Sequence, residues 1–274
     1  MADAPNPLFL ATAVEAVVKA GAMQRAGVDH LRIEKKGAID LVTQIDREVE
    51  EMFRALIARR FPSHAVLAEE FEARGDRRRD AEFCWVFDPV DGTTNYAHGL
   101  PIYCSACALE QRGRPVAAAI YDPSRRELFT AERGAGAWLN GAPLRVSSAE
   151  ALIDSMLCTG FPYNVQTDSG YLLGLFDGFL RRARAVRRLG SAAIDLAYVA
   201  AGRFDGFWEV RLNPWDISAG ALIIEEAGGT VSRLDGGPFE SRLGEIVASN
   251  GRIHPQMIDV IRAASPRRPP ADPR

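Results

Sequence analysis

The sequence predicts an α/β protein built as two lobes, and three observations support this prediction. Residues 104–131 contain three apolar runs separated by turn dipeptides, which is typical of an antiparallel meander. From residue 148 onward, strand-like and helix-like segments alternate, as they do in open α/β sheets. Before the meander, the apolar residues 83–87 lead into a run of carboxylates and hydroxyls, and α/β proteins build ligand sites at strand ends. A chain of 274 residues can bury the core that two lobes need.

Charge and composition exclude several classes of partner. The 33 basic and 36 acidic residues give a net charge of -3, so no global positive field would attract nucleic acid or an anionic membrane. The amino terminus lacks the basic region of a secretory signal, and no apolar stretch is long enough for a transmembrane helix. The 4 cysteines are few and lie in apolar surroundings, which is typical of reduced thiols. We therefore expect a cytoplasmic protein that binds neither membrane nor nucleic acid.

The residues before the acidic run predict two helices and one short strand. The helices are expected over 8–27 and 47–60, and the strand over 66–68. Apolar residues recur at helical spacing in both helices, with Gly27 and Pro62 marking their ends. The strand carries Glu69 and Glu70 at its end, and the polar segment 72–80 predicts an exposed, mobile loop.

The meander consists of predicted strands over residues 104–111, 115–121 and 127–131. Asn140-Gly141 then predicts a tight hairpin turn. The glycines of Gly134-Ala135-Gly136 resemble a phosphate loop, but no helical pattern follows them, so we expect no nucleotide site there. Cys104 and Cys107 lie three apart in a strand, which places their side chains on opposite faces. We therefore expect both thiols to pack in the core.

The second half of the chain predicts alternating strands and helices. Strands are expected over 152–159, 185–188, 204–210 and 246–249, and helices over 169–182, 191–201, 214–227 and 254–263. Ser191 is interpreted as a helix cap. The predicted organisation is a first lobe of residues 1–147, a second lobe of residues 148–265, and a disordered tail, 266–274, that is rich in proline and arginine.

The acidic run that follows the apolar strand predicts a metal and phosphate site. Asp88 and Asp91 lie three apart with Pro89 fixing the bend between them, so both carboxylates can converge on one hard cation. Gly92 and Thr93 can open a helix whose free backbone N–H groups hold an anion. A cation site beside an anion site indicates metal-assisted phosphate chemistry.

Two further acidic positions lie where an element begins or ends. Glu69 and Glu70 follow a strand, and Asp216 falls in the first turn of a helix. Taken alone, the glutamates are explained as a solvated strand end and Asp216 as a helix cap. Together with Asp88 and Asp91 they form an acidic set without a histidine at ligand spacing, which favours Mg²⁺ over Zn²⁺.

Two long motifs resemble those of the inositol monophosphatase family of Mg²⁺-dependent, lithium-sensitive phosphatases. The first family motif, W-x-x-D-P-[IV]-D-G-T-x-N-[FY]-x-H-G-x-P, is matched by Trp85, Asp88, Pro89, Asp91, Gly92, Thr93, Asn95, His98, Gly99 and Pro101. The second, W-D-x-x-A-G-x-x-x-x-E-A-G-G, is matched by Trp215, Asp216, Ala219, Gly220, Glu226, Ala227, Gly228 and Gly229. The resemblance covers nearly the whole chain. It implies the αβαβα five-layer sandwich of the inositol monophosphatase and fructose-1,6-bisphosphatase type, and a homodimer.

The resemblance also implies the residues that hold the metal. Two Mg²⁺ ions would share a set of oxygen ligands, which are Glu69, Asp88 and the Val90 carbonyl for one ion, and Asp88, Asp91 and Asp216 for the other. Glu69 would also help to place a third ion, so two to three ions are expected.

A further group of residues would bind and activate the substrate. Thr93 and Glu69 would orient the attacking water, with Asp46 as a neighbouring partner. The N–H groups of Gly92 and Thr93 would bind phosphate oxygens. The implied substrate-binding residues are Lys35 at the entrance and Ser191, Ala192 and Glu209 in the wall of the site.

The implied activity is a phosphomonoesterase that hydrolyses a small polyol phosphate, with inositol monophosphate favoured, by direct attack of a metal-activated water. Glu209 lies where inositol monophosphatases bind a substrate hydroxyl. Relatives with the same metal core act on histidinol phosphate, fructose 1,6-bisphosphate, NADP or 3′-phosphoadenosine nucleotides, so these substrates stay open as alternatives.

A function of another class is binding to transcription complexes, because some bacterial relatives act in that way through surface contacts. The arginines that would suit such a surface are Arg181, Arg182, Arg184, Arg187 and Arg188. Since the chain as a whole is not basic, solvation or the steering of phosphate explains them more simply. The intact acidic set favours the enzyme.

Overall fold

The structure, a computed structural model, describes residues 6–35, 37, 41–71, 81–166 and 169–264. The predicted loop of 72–80 and the predicted tail of 266–274 lie outside the described residues. The α-helices are α1 (Leu8–Gly27), α2 (Gln44–Arg60), α3 (Thr93–Ala97), α4 (Gly170–Leu180), α5 (Ala192–Ala200), α6 (Pro214–Glu226) and α7 (His254–Ala264). None of them is long and apolar enough to cross a membrane.

The first half of the chain forms a small strand pair and a large sheet. Strands β1 (Ile33–Lys35) and β2 (Leu41–Thr43) pair antiparallel. The large sheet contains, in order across it, β3 (Ala65–Ala68), β4 (Phe83–Asp91), β5 (Cys104–Gln111), β6 (Arg114–Asp122), β7 (Glu127–Glu132), β8 (Gly136–Leu139) and β9 (Ala142–Pro143). Strands β3 and β4 are parallel, and the other neighbours pair antiparallel. The predicted meander is confirmed.

The second half forms a smaller sheet. Its strands are β10 (Met156–Thr159), β11 (Ala185–Arg187), β12 (Gly206–Val210), β13 (Thr230–Ser232) and β14 (Glu245–Ser249). Their order across the sheet is β11-β10-β12-β14-β13. Strand β10 runs parallel to β11 and β12, whereas β14 runs antiparallel to both of its neighbours.

Three hydrophobic clusters hold five layers together. One joins α1 and α2 to a face of the large sheet and includes Phe53 stacked on Phe87 at 4.0 Å between ring centres. A second contains α5 and α6 between the two sheets, with Leu222 fully buried. The third joins α4 and α7 to the outer face of the small sheet, where Phe179 stacks on Trp208 at 3.9 Å. These layers confirm the αβαβα sandwich. The lobe limits at residues 147 and 265 stay a prediction.

The two cysteines of β5 lie on opposite faces of the large sheet, as the strand spacing predicts. Cys104 belongs to the cluster between the sheets, and Cys107 belongs to the cluster under α1 and α2. Both are free and buried. Burial raises the pKa of both thiols, with nearby carboxylates adding to the effect at Cys104. They are therefore packing residues.

Helix α2 begins at Gln44, earlier than the predicted residue 47. Thr43 occupies the position before the first helical residue, and its side chain accepts a hydrogen bond from the Ile45 N–H at 3.2 Å. The Asp46 carboxylate in turn accepts from the Thr43 N–H at 2.9 Å. This reciprocal pair is a capping box, and the sequence signal for it was Thr43 followed three residues later by an acid. The cap fixes Asp46 in a buried position.

The predicted strand of 152–159 is wrong in its first half. Leu152–Asp154 forms a 3₁₀ turn, and β10 begins only at Met156. The turn is closed by Ser155, whose N–H donates to the Leu152 carbonyl at 2.9 Å and whose hydroxyl donates to the Ala151 carbonyl at 2.8 Å. A serine that bonds its own backbone competes with strand pairing, which apolar periodicity alone does not reveal.

The backbone N–H groups of Gly134 and Gly136 bind a carboxylate of the protein itself rather than a phosphate. The N–H groups of Gly134 and Gly136 donate to the Glu226 carboxylate at 2.8 and 2.9 Å. This contact ties the turn before β8 to the end of α6. The following turn has φ of 50° at Asn140 and 83° at Gly141, and it joins β8 to β9 as the predicted hairpin.

An aromatic cluster at the edge of the large sheet contains a histidine that must stay neutral. His64 stacks on Phe61 and Phe83, each at 4.8 Å between ring centres. Its Nδ1 accepts a hydrogen bond from Trp85 Nε1 at 3.1 Å, so the proton of the neutral ring is on Nε2. Burial lowers the pKa of His64 below its ordinary value of 6.5.

Stability should therefore fall as the pH drops below the ordinary histidine range. The unfolded chain takes up a proton on His64 at a higher pH than the folded chain does, so acidification favours unfolding. The variant His64→Phe keeps the ring stack and removes the titration. Between about pH 7.5 and about pH 5.5 we expect the wild-type melting temperature to fall roughly 2 °C further than that of the variant. Equal pH dependence of the two melting curves would contradict this assignment, and contributions from other groups cancel in the comparison.

Candidate active site

The end of β4 forms the centre of the site. The strand is longer than the predicted 83–87, because it continues through Pro89 to Asp91, with a register shift against β5 between Asp88 and Asp91. A proline cannot donate to the ladder, which is why it lies at such an irregularity. The Pro89 carbonyl is held by Gln24 Nε2 and by the Ser105 hydroxyl, both at 2.8 Å. Sequence reasoning missed Gln24, whose signal was a polar residue on the apolar face of α1.

Gly92 makes the turn from β4 into α3. Its φ is +90°, and a Cβ placed on it would lie 2.9 Å from the carbonyl oxygen of Ile102. Both features require glycine. Gly92 and Thr93, at the start of α3, both line the cavity.

Three carboxylates meet at this point. Oxygen atoms of Asp88, Asp91 and Asp216 all lie within 4.8 Å of one another. Asp216 comes from the first turn of α6, where one of its oxygens accepts from the Asn213 N–H at 2.6 Å. It is a helix cap and a member of the acidic cluster at once. The cluster offers hard oxygen donors without a histidine or thiolate, and this donor set fits Mg²⁺.

The electrostatics of the cluster favour a bound cation. Burial is the largest cause that raises the pKa of Asp88 well above its ordinary value, and the nearby Glu69 carboxylate is the next. Burial likewise raises the pKa of Asp91 and of Asp216. No lysine or arginine of the described residues forms an ion pair with these three aspartates. A divalent cation would neutralise the negative charge of these three aspartates, which no basic side chain of the described residues neutralises.

Glu69 lies at the end of β3 and borders the same cavity as the three aspartates. The turn that carries it is fixed by the buried Glu50 of α2. The Glu50 carboxylate accepts from the N–H groups of Glu70 at 2.6 Å and Phe71 at 3.0 Å, and it pairs with Arg54. Glu50 is thus a residue that sequence reasoning missed, although it positions a predicted ligand.

Thr93 connects the site to the start of α2. Its hydroxyl lies 3.0 Å from an Asp46 oxygen and 2.8 Å from the Val90 carbonyl, so it can donate its single proton to either acceptor. The other Asp46 oxygen is occupied by the N–H and the hydroxyl of Thr43. The Thr93 proton is therefore directed to one of these two acceptors, and the lone pairs of the hydroxyl are left for a further donor.

Asp91 also binds the start of α5, in the second half of the chain. Its carboxylate accepts from the N–H groups of Ala192 at 3.2 Å and Ala193 at 2.8 Å, and from the Ser191 hydroxyl. Ser191 is the N-cap residue of α5, as predicted, but its hydroxyl donates to Asp91 and accepts no hydrogen bond from the helix. A carboxylate at a helix N-terminus is stabilised by the free N–H groups and the helix dipole. The cap of α5 is therefore supplied by the end of β4.

The carboxylates line a cavity of about 360 Å³, to which β4 of the large sheet and β12 of the small sheet both contribute residues. Its other walls include Phe161, Tyr163 and Trp215, with Arg188 and Arg211 at its border. Sequence analysis named Trp215 and Arg188 but missed Phe161, Tyr163 and Arg211, which belong to no catalytic pattern in the sequence.

Glu209 lies on β12 and lines the same cavity as the aspartates. Burial raises the pKa of Glu209 to about 8. The carboxylate packs directly on Gly160, where any side chain would collide with it. A side chain at position 160 would therefore force the Glu209 carboxylate to move.

Most of the predicted site residues border this cavity. They are Glu69, Asp88, Val90, Asp91, Gly92, Thr93, Ser191, Ala192, Glu209 and Asp216. Asp46 stands behind Thr93 rather than at the surface of the cavity. Lys35 is exposed on β1 and is not among the described residues that line the cavity.

The sequence matches a family of known proteins. Residues 7–265 match the model of the inositol monophosphatase family. The chain is 43% identical to an inositol-1-monophosphatase of Synechocystis, over 97% of this chain and 96% of the relative. It is 41% identical to the Nus factor SuhB of Pseudomonas aeruginosa, over 89% of this chain and 90% of the relative.

Solved structures show the same similarity. The inositol monophosphatase of Anabaena superposes with a TM-score of 0.85 at 38% identity, covering 93% of this chain and 96% of that one. The extragenic suppressor protein SuhB of Bartonella henselae also gives a TM-score of 0.85, at 39% identity, covering 92% and 97% of the two chains.

Proposed function

The chain belongs to the inositol monophosphatase family and is a phosphatase, and we propose that it hydrolyses a small polyol phosphate, with inositol monophosphate favoured, by direct attack of water on phosphorus. The observation that carries the proposal is the arrangement of one cavity. The cluster of Asp88, Asp91 and Asp216 suits metal and phosphate, and Glu209 lines the same cavity, where it can accept a hydrogen bond from the alcohol. A phosphate ester of a hydroxyl-bearing alcohol fits both groups of residues.

Mg²⁺ is the proposed cofactor, with two to three ions. The residues that would hold them are Glu69, Asp88, Asp91, Asp216 and the carbonyl of Val90, and this oxygen set fits the ion. Bound Mg²⁺ supplies charge neutralisation of the phosphate, a lowered pKa for the attacking water, and stabilisation of the leaving alkoxide.

The chain's own groups orient the reactants. With its proton donated to Asp46, the Thr93 hydroxyl accepts a hydrogen bond from the attacking water and fixes its direction. The N–H groups of Gly92 and Thr93, at the turn into α3, bind phosphate oxygens. Glu209, Ser191 and Ala192 form the wall for the alcohol, and Lys35 is assigned to the entrance. Four free, buried cysteines support a reducing, cytoplasmic location, and a homodimer is the proposed assembly.

A second candidate function is binding to a transcription complex, because the chain is nearly as similar to a Nus factor SuhB as to an inositol-1-monophosphatase. The arginines proposed for such a surface are partly paired. Arg181 binds Asp177, and Arg184 binds Asp154, each at 2.9 Å. These pairs reduce the positive charge that the surface offers, and so favour the enzyme.

A substrate panel tests the proposal. Phosphate release is measured with Mg²⁺, with and without Li⁺, on inositol monophosphate, histidinol phosphate, fructose 1,6-bisphosphate, NADP and 3′-phosphoadenosine 5′-phosphate. We expect the highest kcat/KM on inositol monophosphate, inhibition by Li⁺, and loss of activity with a chelator. Turnover of another member of the panel at a higher kcat/KM would replace the favoured substrate. No turnover on any of them would favour the binding function.

A further inference from the structure

Asp195 is a buried acid of the cavity to which the sequence motifs assign no role. It lies in the first turn of α5, with only 1% of its surface exposed, and it borders the same cavity as Glu209. Its Oδ1 atom has no hydrogen-bond partner among the described residues. A buried polar atom without a partner is costly, and in a native protein it calls for an explanation, such as a bound ligand, ion or water.

The neighbour of Asp195 in this cavity is also unsatisfied. Glu209 is 7% exposed, and no N–H or O–H group of the described residues donates to its carboxylate. Burial raises the pKa of both acids, the charge of Glu209 raises the pKa of Asp195 further, and the guanidinium of Arg188 lowers the pKa of both. The Cys158 thiol donates to the Gly206 carbonyl at 3.6 Å. Asp195 Oδ1 and the Glu209 carboxylate are therefore acceptors that receive no hydrogen bond from the described residues.

We propose that Asp195 is a second substrate-binding acid, which together with Glu209 accepts hydrogen bonds from hydroxyl groups of the alcohol that carries the phosphate. This inference rests on the proposed phosphatase function and specifies its substrate class. Hydroxyl groups supply the donors that the two carboxyl groups lack. The two carboxyl groups repel the phosphate, whereas the cations proposed at Asp88, Asp91 and Asp216 would attract it, so the phosphate points to that cluster. The pair thereby fixes the orientation of the substrate.

The experiment compares a polyol ester with an ester whose leaving group has no free hydroxyl. Wild type, Asp195→Ala and Asp195→Asn are assayed with Mg²⁺ on inositol monophosphate and on p-nitrophenyl phosphate. For Asp195→Ala we expect KM for inositol monophosphate to rise about tenfold, since one hydrogen bond is lost, while kcat/KM for p-nitrophenyl phosphate stays within about twofold. Asp195→Asn retains an accepting oxygen and nearly the same volume, so its rise should be only about threefold.

The matched control is Asp259→Asn, which removes an exposed carboxylate of α7 that does not line the cavity. This variant should change neither KM nor kcat/KM for either ester. Equal losses on both esters in the Asp195 variants would show a merely structural role and overturn the inference. Unchanged kinetics on both esters would overturn it as well. Because Asp195→Asn nearly preserves the packing, the test does not depend on the folding of the alanine variant. If the wild-type protein hydrolysed neither of the two esters, this result would instead overturn the proposed function, and this inference with it.

Discussion

Replacing Asp88 with asparagine is expected to abolish Mg²⁺-dependent phosphate release. Asp88 is the aspartate that would contribute to two ions, so its loss removes a ligand from both and also removes the charge that holds them. We expect kcat/KM on the best substrate to fall by about a thousandfold or more. The measurement is initial rate against Mg²⁺ concentration for wild type and Asp88→Asn, with Asp259→Asn as the control for loss of one carboxylate.

Without metal, Asp88→Asn should make the folded protein more stable, although it abolishes activity. Burial raises the pKa of Asp88 in the folded protein, so the ionised side chain costs stability at pH values above its unfolded pKa. Asparagine removes this cost, and the metal-free variant should melt at a higher temperature than the metal-free wild type. Added Mg²⁺ should then raise the wild-type melting temperature but leave that of the variant nearly unchanged. A near-normal rate, or a full Mg²⁺-dependent shift in the variant, would contradict the role of Asp88.

The sequence could predict those parts of the site whose residues are close together in the chain. Asp88, Asp91 and Gly92 are close in sequence, and a proline, a glycine and an apolar strand define their local geometry. Their convergence could therefore be predicted from the residues alone. That Asp216 joins them depends on the packing of α6 between the two sheets. The sequence identified Asp216 as an acid at a helix start, and the family resemblance assigned it to the same metal ion as Asp88 and Asp91.

The parts that sequence reasoning missed are side chains that bind backbone groups of other elements. Glu50 holds the turn after β3, Gln24 holds the Pro89 carbonyl, and Asp91 caps α5 across the cavity. Each is a polar residue within an apolar or helical pattern, where its partner cannot be read from local spacing. The boundaries of α2 and β4 were misplaced for a related reason. A capping box and a bulge at proline outweighed the periodicity on which the prediction relied.

Thr93 offers the test that separates metal binding from water activation. The variant Thr93→Val keeps the shape of the side chain and the backbone N–H but removes the hydroxyl. We expect kcat to fall by about a hundredfold, because the attacking water loses the acceptor that orients it toward phosphorus. The Mg²⁺ concentration that gives half-maximal activity should change little, since Thr93 contributes no carboxylate to the acidic cluster. The control is Thr230→Val, an exposed threonine of β13.

Melting curves complete this comparison. If Thr93 acts on the water, Thr93→Val should retain the rise in melting temperature that Mg²⁺ causes, whereas Asp88→Asn should lose it. Loss of the rise in both variants would place Thr93 among the groups that hold the metal and would contradict its role in orienting water. A near-normal kcat in Thr93→Val would exclude that role directly. Because the Thr93 hydroxyl is held by Asp46, Asp46→Asn should reproduce the fall in kcat more weakly, since its amide oxygen still accepts the hydrogen bond.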